Sequence, residues 1–92
     1  MDIDFNMLDE RVSSDEGALF SGYFCERFLR QDLSTRRSKR DKYIEYYNGF
    51  ISIHREIINI LQAHQSGDID LIERSKRCKK EASRLLDIVY EY

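Results

Sequence analysis

His54 and Cys78 are the side chains of this sequence with the most chemistry to offer. A histidine facing a cysteine can form part of a zinc site, or can pair a thiol nucleophile with its base. Two ligands do not complete a metal site, and no third falls into pattern with them. The expected role of His54 is that of a core histidine, hydrogen-bonded to Ser75 or to a backbone carbonyl. His64 stands in the "AHQSGD" turn, where a cation suits a helix C-terminus. Carboxylates are plentiful, but none shares an apolar face with a second one at helical spacing, so no acid and base pair can be assigned. The four glycines, at 17, 22, 49 and 67, are isolated and form no phosphate cradle. The expectation is a protein that is not an enzyme and needs neither metal nor cofactor.

Charge and aromatic patterning carry more information. Residues 1–16 hold six acids against Arg11, although the whole chain has a net charge of only −2. Bases concentrate in "RRSKRDK" (36–42) and "RSKRCKKEASR" (74–84). Arg77, Lys80 and Arg84 share the polar side of the last segment with Arg74 a turn earlier; with Arg36, Arg37, Lys39 and Arg40 they could follow a phosphate backbone. A pI near 5.7 argues against a dedicated nucleic-acid binder. A solvated basic face and an acidic protein partner are the competing readings. Six tyrosines, at 23, 43, 46, 47, 90 and 92, exceed what one helical seam can cover. Tyrosine and arginine are favoured as interface anchors because they join large contact area to a polar tip. Tyr43, Tyr46, Tyr47, Phe50 and Tyr90, rimmed by Arg36 and Arg40, are therefore the candidate partner-binding residues.

The elements that must position these groups follow from the periodicity. "KYIEYYNGFISIHR" (42–55) reads in two ways. With a period of two it is a β-hairpin turning at Asn48-Gly49. With a period of 3.6, Tyr43, Tyr47, Phe50, His54, Ile57 and Leu61 form one helical stripe. Leu71, Ser75, Cys78, Ala82, Leu85, Val89 and Tyr92 form a second stripe whose middle is small. Reversal at Gly67 sets residue i near 132 − i, so that Phe50 meets Ala82 and His54 meets Cys78. Large side chains then face small ones, as interdigitated packing requires. The spacing thus predicts an all-α fold: an antiparallel hairpin of helices over 36–65 and 69–91, with a helix over 14–33 packed across it. The alternative is an α+β fold with a β-hairpin at 43–54. Ser13 and Glu16 form a capping-box pattern, Ser34 or Thr35 can cap the second helix, and Asp68 or Asp70 the third.

Ninety-two residues make a single domain whose thin core would gain from a partner or from a second copy of the chain. Residues 1–12 can be an edge strand, a short helix or a mobile acidic arm. The absence of proline favours long uninterrupted helices. No apolar run approaches the roughly 20 residues of a membrane span, and the start lacks a basic signal region. Cys25 and Cys78, with no CxxC motif, are expected to be reduced and buried, which places the chain in the cytoplasm. The expected function is that of a small helical adaptor, chaperone or inhibitor that binds an acidic protein surface and self-associates. The alternative is a nucleic-acid-binding regulator using the basic stripe.

Overall fold

The computed structural model describes residues 4–64 and 69–91. Among the described residues there are three α-helices and one short π-helical turn: α1 (Phe5–Phe20), the π turn (Cys25–Leu29), α2 (Leu33–Ala63) and α3 (Ile69–Glu91). Helices α2 and α3 pack closely as a hairpin, and α1 contacts both. At 1.5 Å per residue, the 31 residues of α2 span about 46 Å. This single helix sets the 47 Å long axis of the molecule.

The period of 3.6 prevails over the period of two, and Asn48-Gly49 lie inside α2. The reason is tertiary. Tyr43, Tyr47, Phe50, His54, Ile57, Ile58 and Leu61 are buried along one side of α2. Leu71, Ser75, Cys78, Ala82, Leu85, Leu86 and Val89 are buried along α3. Neither stripe could be covered so completely by a two-stranded ribbon. The Arg40 guanidinium donates to the Tyr90 carbonyl, and the His54 ring bonds Ser75, so the observed register lies two or three residues from the expected one.

Asp32, rather than Ser34 or Thr35, caps α2, its carboxylate accepting from the Thr35 N–H at 2.8 Å. That backbone hydrogen bond holds the Asp32 carboxyl below its usual range. Asp4 caps α1 in the same way, accepting from the Met7 N–H at 3.1 Å. Of the expected caps of α3, Asp70 lies within the first turn of the helix, while Asp68 and the Gly67 turn lie outside the described residues.

The helix expected over 14–33 begins earlier and is broken. It starts at Phe5, so the acidic amino-terminal residues from 5 onward are helical, and it ends at Phe20. Gly22 has φ +83°, a conformation that costs an L side chain about 1–2 kcal/mol and glycine nothing. The kink re-aims residues 23–29. Leu19, Phe24 and Phe28 enter the core, while Phe20 and Tyr23 are turned outward. Cys25, expected to be buried, is exposed for the same reason, and Cys78 is buried as expected.

Candidate functional site

Three constellations of polar side chains emerge from this arrangement. The innermost joins all three helices. His54, on the buried stripe of α2, makes a 2.8 Å hydrogen bond from Nδ1 to the Ser75 hydroxyl of α3, and a 2.7 Å contact from Nε2 to the Asp15 carboxylate of α1. With the proton on Nε2, the ring donates to Asp15 and accepts from the Ser75 hydroxyl. Asp15 also accepts from Arg11 Nε at 3.0 Å, which reaches it from the exposed edge of α1. The expected bond to Ser75 is present, whereas Asp15 could not be foreseen without knowing where α1 docks. Its signal in the sequence is faint: Val12, Asp15 and Leu19 share one face of α1, which places an acid on the buried side.

Serine, histidine and aspartate in a chain of hydrogen bonds are the parts of a nucleophilic triad. Here they are closed off. His54 and Ser75 are fully buried, Asp15 nearly so, and none lines the surface clefts around Tyr23, Gly22 and Arg77. A serine nucleophile must reach a carbonyl or phosphoryl centre in a substrate, and this hydroxyl is walled in by core side chains. Their arrangement acts as a polar lock between helices, each member satisfying another in a low-dielectric interior. Cys78, on the same stripe, has its thiol pushed up to about 11, chiefly by burial and secondarily by Glu16 and Asp15. It is held as a neutral thiol. Among the described residues no group of three His, Cys, Asp or Glu side chains is placed to hold a metal ion.

The second constellation centres on Arg74. Its guanidinium donates to Glu16 at 3.0 and 2.6 Å, to Asp9 at 2.8 Å and to the Ser13 hydroxyl at 2.8 Å. Ser13 and Glu16, which read as a capping box, instead lie inside α1 and form one side of this clamp. The hydrogen bonds to Glu16 and Asp9 raise the Arg74 pKa further above its already high value. The first base of the supposed phosphate stripe is thus spent on fixing the acidic first helix to α3. Arg84 pairs with Glu81 within its own helix. Arg77 and Lys80 line a shallow cleft with Arg84, Glu81 and the outward ring of Phe20.

The third constellation is aromatic and basic. Tyr43, Tyr47 and Phe50 are buried, each ring packed against others of a cluster with Phe24 and Phe28. Tyr46 packs edge-on to Tyr47 and Phe50 but remains 43% exposed, and Tyr90 is 50% exposed. Of the aromatic anchors read from the sequence, these two present a ring to solvent. Arg40 lies over the Tyr90 ring at 6.0 Å while donating to its carbonyl, and Arg36 is half-buried. Arg37 and Lys39 are exposed on the first turns of α2. Tyr23, exposed by the kink at Gly22, joins Tyr43 and Tyr46 in a cleft with Arg27, Gln31, Lys39 and Lys42. Burial first, then the neighbouring Tyr23 hydroxyl, pushes the Tyr43 phenol above its usual value. Tyr23 and Arg27 could not be placed beside Lys42 from the sequence, because the kink at Gly22 and the π turn after it are invisible to a regular period. No family model, curated protein or solved structure matches this chain.

Proposed function

We propose that this chain is a non-enzymatic helical binding module, an adaptor, chaperone or inhibitor that presents the aromatic and basic face around the first half of α2 to an acidic protein surface. The observation that carries this reading is the exposure of Tyr23, Tyr46 and Tyr90 beside Arg27, Lys39, Lys42 and Arg40. The Tyr46 ring, backed by Tyr47 and Phe50, loses little side-chain entropy on binding, and the surrounding cations steer an acidic partner. The buried lock of Asp15, His54 and Ser75 supports a structural rather than a catalytic use of the chain's polar core. Self-association belongs to the same proposal, since Phe5, Met7, Phe20, Leu33 and Ile69 also expose large apolar surface. Two free thiols fit a reducing cytoplasmic setting, and no helix among the described residues is long and apolar enough to cross a membrane.

A second reading, nucleic-acid binding, is favoured by Arg77, Lys80 and Arg84 around the exposed Phe20 ring. Sedimentation of the chain alone and with a mixed-sequence duplex, at low and high salt, separates the two. A dimer indifferent to the duplex, weakened by Tyr46→Ser with Tyr90→Ser, supports the protein-binding reading. A monomer that carries the duplex at low salt and releases it at high salt overturns it. In that case neutralising Asp9 and Glu16, which releases Arg74, strengthens duplex binding further.

A further inference from the structure

The cleft between the π turn and the first half of α2 has a composition that general protein binding does not require. Its lining contains three cations, Arg27, Lys39 and Lys42, and no carboxylate. Three tyrosines, Tyr23, Tyr43 and Tyr46, add hydroxyl donors. Burial keeps the Tyr43 and Tyr46 phenols protonated, and hence able to donate, well into the alkaline range. The Arg27 guanidinium stands 5.9 Å over the Tyr23 ring, which holds the cation at the rim. Among the described residues neither lysine is in an ion pair, in contrast with Arg74 and Arg84, which are neutralised by neighbouring acids. Gln31 also lines the cleft, and its side-chain NH2 can donate to an anion.

Size narrows the ligand. The cleft encloses about 210 Å³. That is below the roughly 300–1,000 Å³ typical of sites for whole drug-sized molecules or cofactors. At about 30 Å³ per water it has room for roughly seven non-hydrogen atoms, more than the five of a phosphate group. Three cations in one cleft call for more negative charge than a single carboxylate supplies, and a phosphomonoester carries about −1.5 to −2 near neutrality. The exposed faces of Tyr23 and Tyr46 offer a surface for a small organic group attached to the phosphate.

We propose that this cleft binds a small phosphomonoester, with Arg27, Lys39 and Lys42 holding the phosphate, the tyrosine hydroxyls completing its hydrogen bonds, and Tyr23 and Tyr46 flanking the organic group. The site shares Tyr23, Tyr46, Arg27, Lys39 and Lys42 with the proposed protein-binding face but takes a small ligand, and Tyr90 and Arg40 lie outside it, so either reading can fail without the other.

The test uses the full isotope-labelled chain, titrated with phenyl phosphate, inorganic phosphate and benzoate at constant low ionic strength and followed by amide chemical shifts. The expected result is saturable binding of phenyl phosphate, with shifts confined to the surroundings of Arg27, Gln31, Lys39, Lys42 and Tyr43. Benzoate binds at least tenfold more weakly, as does phenyl phosphate to the Lys39→Ala/Lys42→Ala variant. Arg77→Ala with Lys80→Ala leaves the affinity unchanged. Circular dichroism melting verifies that both pairs fold, and Arg27→Gln provides an independent loss if the lysine pair does not. Shifts that fail to saturate, that centre on Arg77 and Lys80, or that are equal for benzoate overturn the site. Inorganic phosphate binding as tightly as the ester overturns the assignment to an ester. The protein-binding reading is judged separately by sedimentation, in which Tyr90→Ser, outside the cleft, is the informative change.

Discussion

Replacing Asp15 by alanine tests whether the buried polar lock holds the first helix to the hairpin. The substitution removes the carboxylate that meets His54 Nε2, 2.7 Å away in a site where the imidazole is fully buried. A buried donor left without a partner costs about 1–3 kcal/mol. The lost i, i+4 pair with Arg11, which is about half exposed, adds only a few tenths. The expected loss is therefore about 2 kcal/mol, or a fall in Tm of roughly 8–16 °C for a domain of this size. Asp15→Asn keeps an oxygen within reach of the ring and should lose about half as much. The double variant with His54→Leu should cost less than the sum of the singles, because it removes both ends of the contact. Urea and thermal unfolding followed by circular dichroism give the energies. Hydrogen exchange locates the effect, since α1 amides should lose protection while the seam between α2 and α3 retains it. A loss below about 0.5 kcal/mol, or equal loss of protection in all three helices, would refute the view that Asp15 ties α1 to His54.

Other parts of the molecule yield further expected outcomes. A Cβ added at Gly49 meets nothing within 4 Å, so Gly49→Ala should stabilise α2 by about 1 kcal/mol, whereas Gly22→Ala, at φ +83°, should destabilise by about 1–2 kcal/mol; paired melting curves test the opposite signs. Arg74→Lys keeps the charge but not the fork that reaches Asp9, Ser13 and Glu16 together, and should cost about 1 kcal/mol in urea titrations, with less difference from the parent at high salt. Cys25 should react readily with a thiol reagent in the folded protein and Cys78 only on unfolding. Because the folded Cys78 pKa of about 11 lies above the ordinary 9.0, the unfolded chain releases its proton first. The associated stability is present below pH 9 and is lost as pH rises towards 11, and Cys78→Ala should flatten that part of the urea-midpoint profile. Burial pushes the Tyr47 phenol in the same direction, steepening the fall above pH 10 in both proteins.

Local pattern was enough to specify the long helices. Absence of proline, a stripe from Tyr43 to Leu61 and a second from Leu71 to Val89 leave an antiparallel helical hairpin as the arrangement that buries both, and a reversal assigned to Gly67 set which residues face each other to within one turn. The core role of His54 beside Ser75 was legible for the same reason, since both stripes pass through those positions. Packing settled the remainder. The period of Tyr43 to Arg55 is compatible with strand or helix until a partner surface exists to bury one side. The course of α1 depends on the kink at Gly22, a backbone conformation that no side-chain pattern encodes, and that kink exposes Tyr23 and Cys25 while bringing Arg27 against α2. The fate of the charges was likewise undecided: Arg74 and Arg77 look alike in sequence, but only Arg74 lies where Asp9 and Glu16 of the docked first helix can reach it. Local periodicity reports which face of an element is buried. Which polar groups end up paired across the buried face depends on distances between segments far apart in the chain, and those exist only once the helices have packed.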